Sequence, residues 1–185
     1  MDLKDALKTR RSVRRFRQEP VPDAVIEEML AYAPWVPNHH VSEPWRFVVV
    51  TGPSLQELAE IRKSAVLEKR AGEPNADARA EKARDEFLES AAVIVVIQRL
   101  DPNPVRREED YAAVTMAAYN LMLVGWELGV GSFWNTGPLV ASTEARTWLG
   151  LLEDEKAVAF LRIGYPEMIP VQRRSPIEER TVWRR

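Results

Sequence analysis

Hydrophobic residues recur at helical spacing in four parts of the chain. Leu3, Ala6 and Leu7 share one face of a short helix in DLKDALKTR, and PDAVIEEMLAYA predicts a second helix. From residue 54 to about residue 90 the spacing is helical and the sequence is heavily charged, with a break at AGEPN. Residues 111–129, YAAVTMAAYNLMLVGWELG, are apolar on nearly every side, which predicts a buried helix or an interface helix.

Other segments have the composition of strands and of the loops between them. WRFVVVT and EKAVAFLRIGYP predict strands, and GVGSFWNTGP predicts a short strand that ends in a turn. The nearly continuous β-branched run AAVIVVIQRL predicts a strand covered on both faces. Three prolines in APWVPNHHVSEP predict an irregular loop, and DPNPVRREED predicts another. STEARTWLGL predicts a helix capped by Ser142 or Thr143.

The order of these elements indicates the fold class. Helices and strands alternate irregularly, without a repeat or a linker, which favours one α+β sandwich domain over residues 1–185. No GxGxxG follows a strand, and LGVGS at residues 128–132 offers only two glycines ahead of a strand. A Rossmann dinucleotide site is therefore not expected, and the sequence contains no P-loop.

The composition is that of a globular protein without cysteine chemistry. The 185 residues are 45% hydrophobic and 29% charged, and none is cysteine. Disulfides, thiolate metal sites and a cysteine nucleophile are excluded, which agrees with a reducing compartment. No apolar run approaches the roughly 20 residues that cross a membrane, and the first residues lack the apolar core of a signal peptide. We therefore expect a cytoplasmic protein.

Five arginines lie between residues 10 and 17, in RRSVRRFR around Ser12. Such a cluster can be an arm for nucleic acid or one wall of an anion pocket. A nucleic-acid-binding protein usually carries a basic excess, because neutralising phosphates supplies most of its affinity. The formal net charge of this chain is −2. We therefore favour a local anion site and keep the basic arm as an alternative.

Four motifs occur in an order and spacing similar to those of a known enzyme family. They are RRSVRRF at residues 10–16, PNHHVSEPWRF at 37–47, SFWNTGP at 132–138 and the closing GYP…RRSPIEE. Over essentially the whole chain this pattern resembles the FMN-dependent nitroreductase family, in particular its small members. The resemblance implies a three-layer α/β sandwich with a central, mainly antiparallel sheet. It also implies an obligate homodimer whose tail, about residues 166–185, packs on the partner subunit.

The resemblance further implies which residues hold the cofactor. The candidate cofactor-binding residues are Arg10, Arg11, Ser12, Arg14, Trp35, Pro37, Asn38, His39, Trp134, Asn135, Thr136 and Arg174. Arg10, Ser12 and Arg174 match positions that hold the phosphate and ribityl chain of FMN, with Arg173 as the alternative to Arg174. Arg14 matches a basic position at the pyrimidine edge of the flavin, where a cation eases electron acceptance.

The remaining candidates are expected beside the flavin ring. Trp35 and residues 37–39 would lie along the isoalloxazine of the other subunit, and residues 134–136 would place backbone N–H groups near the ring. For His39 a loop hydrogen bond to the backbone is an equal alternative. The side chains of His39 and His40 should diverge, and no third ligand stands at zinc spacing, so no metal site is predicted.

Several other polar residues of the motifs have less specific expectations. Arg11, Arg15 and Arg17 are expected to be solvated or ion-paired, although Arg11 stays in the candidate set. Glu43 stands where many members of the family have glutamine, and a carboxylate cannot donate a hydrogen bond. The role of Glu43 is therefore left open.

The resemblance implies an NAD(P)H-dependent flavin oxidoreductase. NADH or NADPH would pass a hydride to flavin N5, and a nitroaromatic, a quinone or a related electron-poor acceptor would then replace it in a ping-pong scheme. No catalytic acid or base is expected, because the cofactor carries the chemistry. Two alternatives remain: a flavin-binding protein with a different redox or sensing role, and a module that binds an anionic partner or nucleic acid through residues 10–17.

Overall fold

The structure is a computed structural model that describes all 185 residues. The α-helices are α1 Leu3–Thr9, α2 Asp23–Tyr32, α3 Gly52–Lys69, α4 Ala76–Leu88, α5 Pro104–Glu127 and α6 Thr143–Trp148. The strands are β1 Trp45–Val50, β2 Ala92–Arg99, β3 Gly131–Asn135 and β4 Glu155–Gly164. Three short 3₁₀ helices cover His39–Val41, Pro138–Ala141 and Ile177–Arg180. No helix combines the length and the apolar character that crossing a membrane requires.

The four strands form one sheet in the order β1-β2-β4-β3, and every neighbouring pair is antiparallel. Helices α2 and α5 cover one face, and α3, α4 and α6 cover the other. The β-branched run of β2 serves both cores, because successive side chains of a strand point to opposite faces. Ile94 packs with Leu121 of α5, whereas Val95 packs with Phe87 of α4. The expected three-layer sandwich is confirmed, with a wholly antiparallel sheet.

Helix α5 begins earlier than the sequence pattern suggested. The prediction of a loop through DPNPVRREED is wrong from its fourth residue onwards, because the helix starts at Pro104. The side chain of Asn103 accepts a hydrogen bond from the Val105 N–H at 2.9 Å, which caps the first turn. Proline suits the first helical position, where its missing N–H costs nothing. At α6 the cap is Ser142, whose hydroxyl accepts from the Ala145 N–H at 3.2 Å.

Both ends of the chain expose apolar side chains. The predicted stripe of α1 buries only Ala6, while Leu3 and Leu7 are 69% and 46% exposed. From residue 167 to residue 185 every residue is exposed, including Trp183. Helix α5 buries one face and also exposes a few large apolar side chains such as Tyr111. Monomeric proteins rarely leave such surfaces uncovered.

An ion pair connects β1 to β4 across the end of β2, with Glu155 buried and Arg46 partly exposed. The Arg46 guanidinium donates to both carboxylate oxygens of Glu155 at 2.7 Å, and Glu155 is 5% exposed. The Leu152 N–H donates to the same carboxylate at 3.0 Å. The hydrogen bonds from Arg46 lower the pKa of Glu155, with the Leu152 N–H acting in the same direction against the effect of burial. Glu155 therefore stabilises the fold as a carboxylate.

We expect Glu155→Gln to lower the free energy of unfolding at pH 7 by about 1–3 kcal/mol, because it leaves a charged hydrogen-bond donor without its ionised partner. A carboxyl with a depressed folded pKa stabilises above its unfolded pKa and loses that contribution as pH falls through the folded pKa. Wild type should therefore lose stability in acid, below the ordinary glutamate pKa of 4.5, more steeply than the variant. Urea unfolding at a series of pH values measures both effects. The control is Glu153→Gln, at an exposed neighbour, which should change neither the free energy of unfolding nor its dependence on pH. The prediction would be contradicted if the free energy of unfolding fell equally steeply with pH in all three proteins.

Candidate functional site

An extended segment, residues 10–17, lies against the end of the sheet formed by β3 and β4. The Val13 N–H donates to the Ser132 carbonyl at 2.9 Å, and a second backbone hydrogen bond ties the end of the segment to the Tyr165 carbonyl at 2.8 Å. Val13 and Phe16 are buried. This packing turns the two arginines between these anchors towards solvent.

Two glycines of the sheet allow the segment to approach so closely. A Cβ atom on Gly164 would lie 2.9 Å from the Cβ of Phe16, and one on Gly131 would lie 2.7 Å from Cγ2 of Val13. Carbon atoms in protein interiors stay roughly 3.5–4.0 Å apart at their best separation. The position of the arginine-rich segment therefore depends on bare backbone at these two places.

Arg10 carries a partly buried guanidinium with unused donors. Its backbone N–H ends α1 by donating to the Ala6 carbonyl at 2.9 Å, and its Cζ lies 5.8 Å from the ring centroid of Tyr119 on α5. Nε and Nη1 are buried and have no hydrogen-bond partner. The hydroxyl of Ser132, whose backbone pairs with that of Ser12, is also buried and unpartnered. A guanidinium and a hydroxyl that lie on adjoining elements and have free hydrogen-bond donors are suited to binding an anion.

A cleft of about 720 Å³ opens beside this segment. Its walls come from the arginine-rich segment, β3 and the start of the tail, and consist of Ser12, Arg14, Arg15, Phe133, Trp134, Met168, Pro170, Val171 and Gln172. The Cζ of Arg14 lies 4.9 Å from the Phe133 ring centroid. Arg14 and Arg15 make no ion pair. The cleft thus combines aromatic walls with cations that have no carboxylate partner.

The three candidate residues at the end of β3 lie in different surroundings. Trp134 lines the cleft and packs against the core between the sheet and α5. The side-chain oxygen of Asn135 accepts a hydrogen bond from Nε of Arg162 at 3.1 Å, so that oxygen is already engaged. Thr136 is exposed, and Gly137 follows it with φ of 52°. Of the three side chains, only Trp134 faces the cleft.

The loop at residues 35–43 is exposed and conformationally strained. Trp35 is 79% exposed, although its carbonyl accepts from the Asn120 amide on α5 at 2.9 Å. Asn38 braces the loop, because its oxygen accepts from the Glu43 N–H at 2.7 Å and its amide donates to Ser42 at 3.1 Å. Pro37 is exposed. The three residues with positive φ are His40, Val41 and Glu43, at 62°, 50° and 43°. Such backbone is costly for non-glycine residues and is found preferentially at functional sites.

The two histidines do not diverge, contrary to the prediction. The left-handed backbone at His40 stacks its ring on that of His39, with centroids 3.8 Å apart and planes 22° apart. Nδ1 of His39 lies 2.9 Å from a carboxylate oxygen of Glu109, so its partner is a side chain rather than the backbone. Ligand atoms of the three residues lie within 4.8 Å of one another. Lone pairs lie in the ring planes, however, and nearly parallel stacked rings cannot both direct them at one ion at about 2.0–2.1 Å.

The other cations of the candidate set have separate partners. Arg11 donates through Nη1 to the carbonyls of Lys8 and Arg10, at 2.7 and 2.8 Å. Arg17 pairs with Glu19 at 3.3 Å on the surface, as expected of solvated charge. The arginines of the tail, Arg173 and Arg174, are exposed, and neither lines the cleft. One chain alone therefore does not bring Arg174 together with Arg10.

The profile of the Nitroreductase family matches residues 7–165. The chain belongs to the nitroreductase family. A relative from Bacillus subtilis (strain 168), named "Putative NAD(P)H nitroreductase YfhC", is 34% identical over 179 residues, which cover 96% of this chain and 92% of the relative. The resemblance inferred from the four sequence motifs is therefore confirmed.

Solved structures agree with this assignment. The crystal structure of a nitroreductase-like family protein from Bacillus cereus superposes with a TM-score of 0.88 at 32% identity, over 99% of this chain and 96% of that one. A structure from Desulfovibrio desulfuricans, determined in complex with FMN, has a TM-score of 0.80 at 20% identity, over 100% and 98% of the two chains. At that identity the second comparison shows the shared fold alone.

Sequence reasoning did not single out Arg162, a buried residue that contacts two of the candidate residues. Arg162 lies within the apolar strand β4 and is 1% exposed. Its guanidinium contacts the side chain of Asn135 and the backbone of Arg14. Burial lowers the pKa of Arg162 from its ordinary value. The signal available in the sequence was a single arginine inside the otherwise apolar run AVAFLRIG.

We expect Gly164→Ala to lower the free energy of unfolding by about 1–3 kcal/mol, because the new methyl group overpacks against Phe16. Phe16→Ala removes Cγ and Cδ1 of the ring, which are two of the three atoms that the methyl group would meet. In the double variant the two losses should therefore be less than additive, by about 0.5–3 kcal/mol. Urea denaturation of the four proteins of this cycle measures the coupling, and strict additivity would contradict the close contact.

Proposed function

We propose that this nitroreductase-family chain is an FMN-dependent oxidoreductase that uses NADH or NADPH to reduce nitroaromatics, quinones or related electron-poor compounds. The observation that carries the proposal is the guanidinium of Arg10, whose buried Nε and Nη1 have no hydrogen-bond partner. Leaving the donors of a buried cation unpaired is costly, and an anion removes that cost. The phosphate of FMN supplies such acceptors, and membership of the family supports this cofactor.

The phosphate end of FMN would lie where α1 meets β3. Arg10 would supply a guanidinium, and Ser12 a hydroxyl, to the same anion. Ser132 adds a second hydroxyl that is buried and unpartnered, next to Ser12 across a backbone bridge. Arg174 would approach from the tail and close the other side. Arg11 would shape this turn through its bonds to backbone carbonyls rather than bind the anion directly.

The flavin ring would occupy the cleft between Arg14 and Trp134, with residues 135 and 136 at its edge. FMN, when bound, accepts a hydride at N5 from NAD(P)H and passes it to the acceptor in a ping-pong sequence. Arg14 would favour the negative charge that the reduced cofactor carries at its pyrimidine edge. Trp134 would exclude water from one face. No side chain of the cleft is assigned as an acid or a base.

A second copy of the chain would complete the site. The tail from residue 167 onwards is exposed throughout, which is the surface expected of a segment that packs on another subunit. The strained loop would lie along the flavin of the other subunit through Trp35, Pro37 and His39. Asn38 would contribute by holding the loop in shape, because its amide is engaged inside it.

The arrangement of the arginines gives the basic-arm alternative little support. Arg10 is directed inward against α5, Arg11 binds backbone carbonyls, and Arg17 pairs with a glutamate. A nucleic-acid arm needs a continuous cationic face. A different redox or sensing role for bound flavin would use the same residues, so turnover with a panel of nitroaromatic and quinone acceptors separates it from the proposed reaction.

We expect the purified protein to carry or take up FMN, with flavin absorbance that bleaches when NADH or NADPH is added. Arg10→Ala should weaken FMN binding about tenfold to a hundredfold, because hydrogen bonds to a charged group contribute about 1.5–3 kcal/mol. Fluorescence titration of the apoprotein with FMN measures the dissociation constant.

Arg17→Ala is the matched control, because it removes the same charge from a surface ion pair seven residues along. It should change FMN affinity less than threefold. Equal losses in both variants would contradict the phosphate assignment. A colourless protein that takes up no FMN, and binds oligonucleotides in a salt-sensitive way, would favour the basic arm instead.

We expect a dimer in light scattering at micromolar concentration. Trp183→Asp should raise the dimer dissociation constant at least tenfold, because a large aromatic residue at an interface contributes about 2 kcal/mol or more. Trp183 is 78% exposed in one chain, so the substitution should leave the fold of the monomer intact.

The control is Leu152→Asp, which places the same charge at a 63% exposed leucine in the turn before β4. It should leave the dimer unchanged. A wild-type monomer that holds FMN tightly would contradict the shared site, and so would a dimer that is equally insensitive to both substitutions.

A further inference from the structure

Arg162 is a cation in the middle of an apolar sheet. It lies on β4, opposite Val93 of β2 and Phe133 of β3, and is 1% exposed. No carboxylate lies within ion-pair distance of it. A buried charge without an ionic partner costs several kcal/mol of solvation, which backbone and amide dipoles only partly replace. A methionine or leucine at this position would pack in the same space without that cost.

The guanidinium of Arg162 joins three separate parts of the cleft wall. Nε donates to the side-chain oxygen of Asn135 at 3.1 Å, at the end of β3. Nη2 donates to the backbone carbonyl of Arg14 at 3.4 Å, in the arginine-rich segment. Nη1 donates to the backbone carbonyl of Glu86, near the end of α4. Two of these three partners belong to the set proposed for the flavin ring.

The charge of Arg162 also lies close to that of Arg14. The two Cζ atoms are 5.1 and 4.9 Å from the centroid of the same ring, that of Phe133, which lines the cleft. Burial lowers the pKa of Arg162, and the charge of Arg14 acts in the same direction, while Glu86 and Glu89 oppose both. An arginine nevertheless keeps its proton at neutral pH. Two cations therefore flank one aromatic residue of the cleft wall, Arg14 in the cleft and Arg162 buried.

We propose that Arg162 is a positioning residue of the FMN site, which holds Arg14 and Asn135 in place and adds a buried positive charge that favours reduced flavin. The inference rests on the proposed function, because it takes the cleft to be the flavin site. The holding role follows from the hydrogen bonds, and the electrostatic role follows from the missing carboxylate. A carboxylate in direct contact would have cancelled most of the field of the guanidinium, whereas neutral acceptors in contact with it, with Glu86 and Glu89 further away, leave more of that field in place.

Arg62 offers an internal comparison. It is also an arginine on an aromatic ring, with only 14% of its side chain exposed and its Cζ 4.3 Å from the centroid of Phe87, and burial lowers its pKa to about 10. Unlike Arg162, it has an ionic partner, the carboxylate of Glu86 at 2.9 Å. Its hydrogen bonds reach no residue of the cleft. Removing Arg62 therefore tests what the loss of any buried arginine does to the protein.

The experiment measures two properties of bound flavin in wild type, Arg162→Met, Arg162→Lys and the control Arg62→Met. The first is the dissociation constant of oxidised FMN, and the second is the two-electron midpoint potential of the bound cofactor. Arg162→Met should weaken the binding of reduced FMN about tenfold more than that of oxidised FMN. For a two-electron couple, that ratio corresponds to a potential lower by about 30 mV.

Arg162→Lys should keep the potential within about 15 mV of wild type, a threefold ratio, because the charge remains. It should still raise the dissociation constant of oxidised FMN about threefold or more, because one ammonium group cannot make the three hydrogen bonds of the guanidinium. Arg62→Met should lower thermal stability and leave the potential unchanged. The results for Arg162→Lys and Arg62→Met together would show that Arg162 affects the bound flavin in a way that a residue with a packing role alone does not.

Different failures have different meanings. A wild-type protein that binds no FMN would overturn the proposed function and this inference with it. A wild type that binds FMN, with an Arg162→Met variant of unchanged potential, would overturn the inference alone. If Arg162→Met does not fold, Arg162→Lys and Asn135→Ala provide the test. Both variants should bind oxidised FMN more weakly than wild type, with an unchanged midpoint potential. Unchanged FMN binding in both would overturn the positioning role.

Discussion

The contact of Phe16 with the bare backbone of Gly164 is the constraint on which the rest of the site depends. Together with Val13 over Gly131, it fixes an irregular segment to the edge of a regular sheet. An irregular segment alone would leave its arginines free to move. Two buried anchors and three backbone hydrogen bonds instead give each arginine a defined direction. The sheet thus acts as a rigid support for a site built largely from loops and chain ends.

Charge in this molecule is distributed unevenly between paired and unpaired sites. On the helices α3 and α4, cations such as Arg62 and Arg84 are matched with carboxylates. Around the cleft, Arg10, Arg14 and Arg162 have none. A net charge near zero therefore conceals a locally positive cavity. Such a cavity is suited to a ligand that is anionic at one end and becomes more anionic on reduction.

The sequence was informative where a local pattern of residues determines the structure, and uninformative where contacts between residues far apart in the sequence determine it. The β-branched run of β2 and the break between α3 and α4 were predicted because both are local. The start of α5 was missed because Asn103 and Pro104 were interpreted as loop residues rather than as a cap and first turn. The stacking of His39 on His40 depends on the left-handed backbone conformation of His40, which is uncommon for residues other than glycine.

Arg162 and Arg174 illustrate two further limits on what can be predicted from the sequence. The contacts of Arg162 come from β3, α4 and the N-terminal segment, so no window of sequence contains them. The place of Arg10 at the end of α1, by contrast, followed from the helix pattern and the motif together. Arg174 lies beyond the start of the tail, in a part that does not line the cleft of its own chain. Its role depends on what covers the tail, which a single sequence does not contain.

The exposed tail has a consequence for how such a protein would be loaded. An exposed segment with few contacts in its own chain keeps conformational freedom that it loses when it meets another surface. Under the proposed assembly, ordering of the tail, association of subunits and closure of the cofactor site would be one linked equilibrium. Occupancy by the cofactor would then rise with the concentration of the protein itself, by mass action. Expression level would thereby regulate the holoenzyme fraction as well as the amount of enzyme.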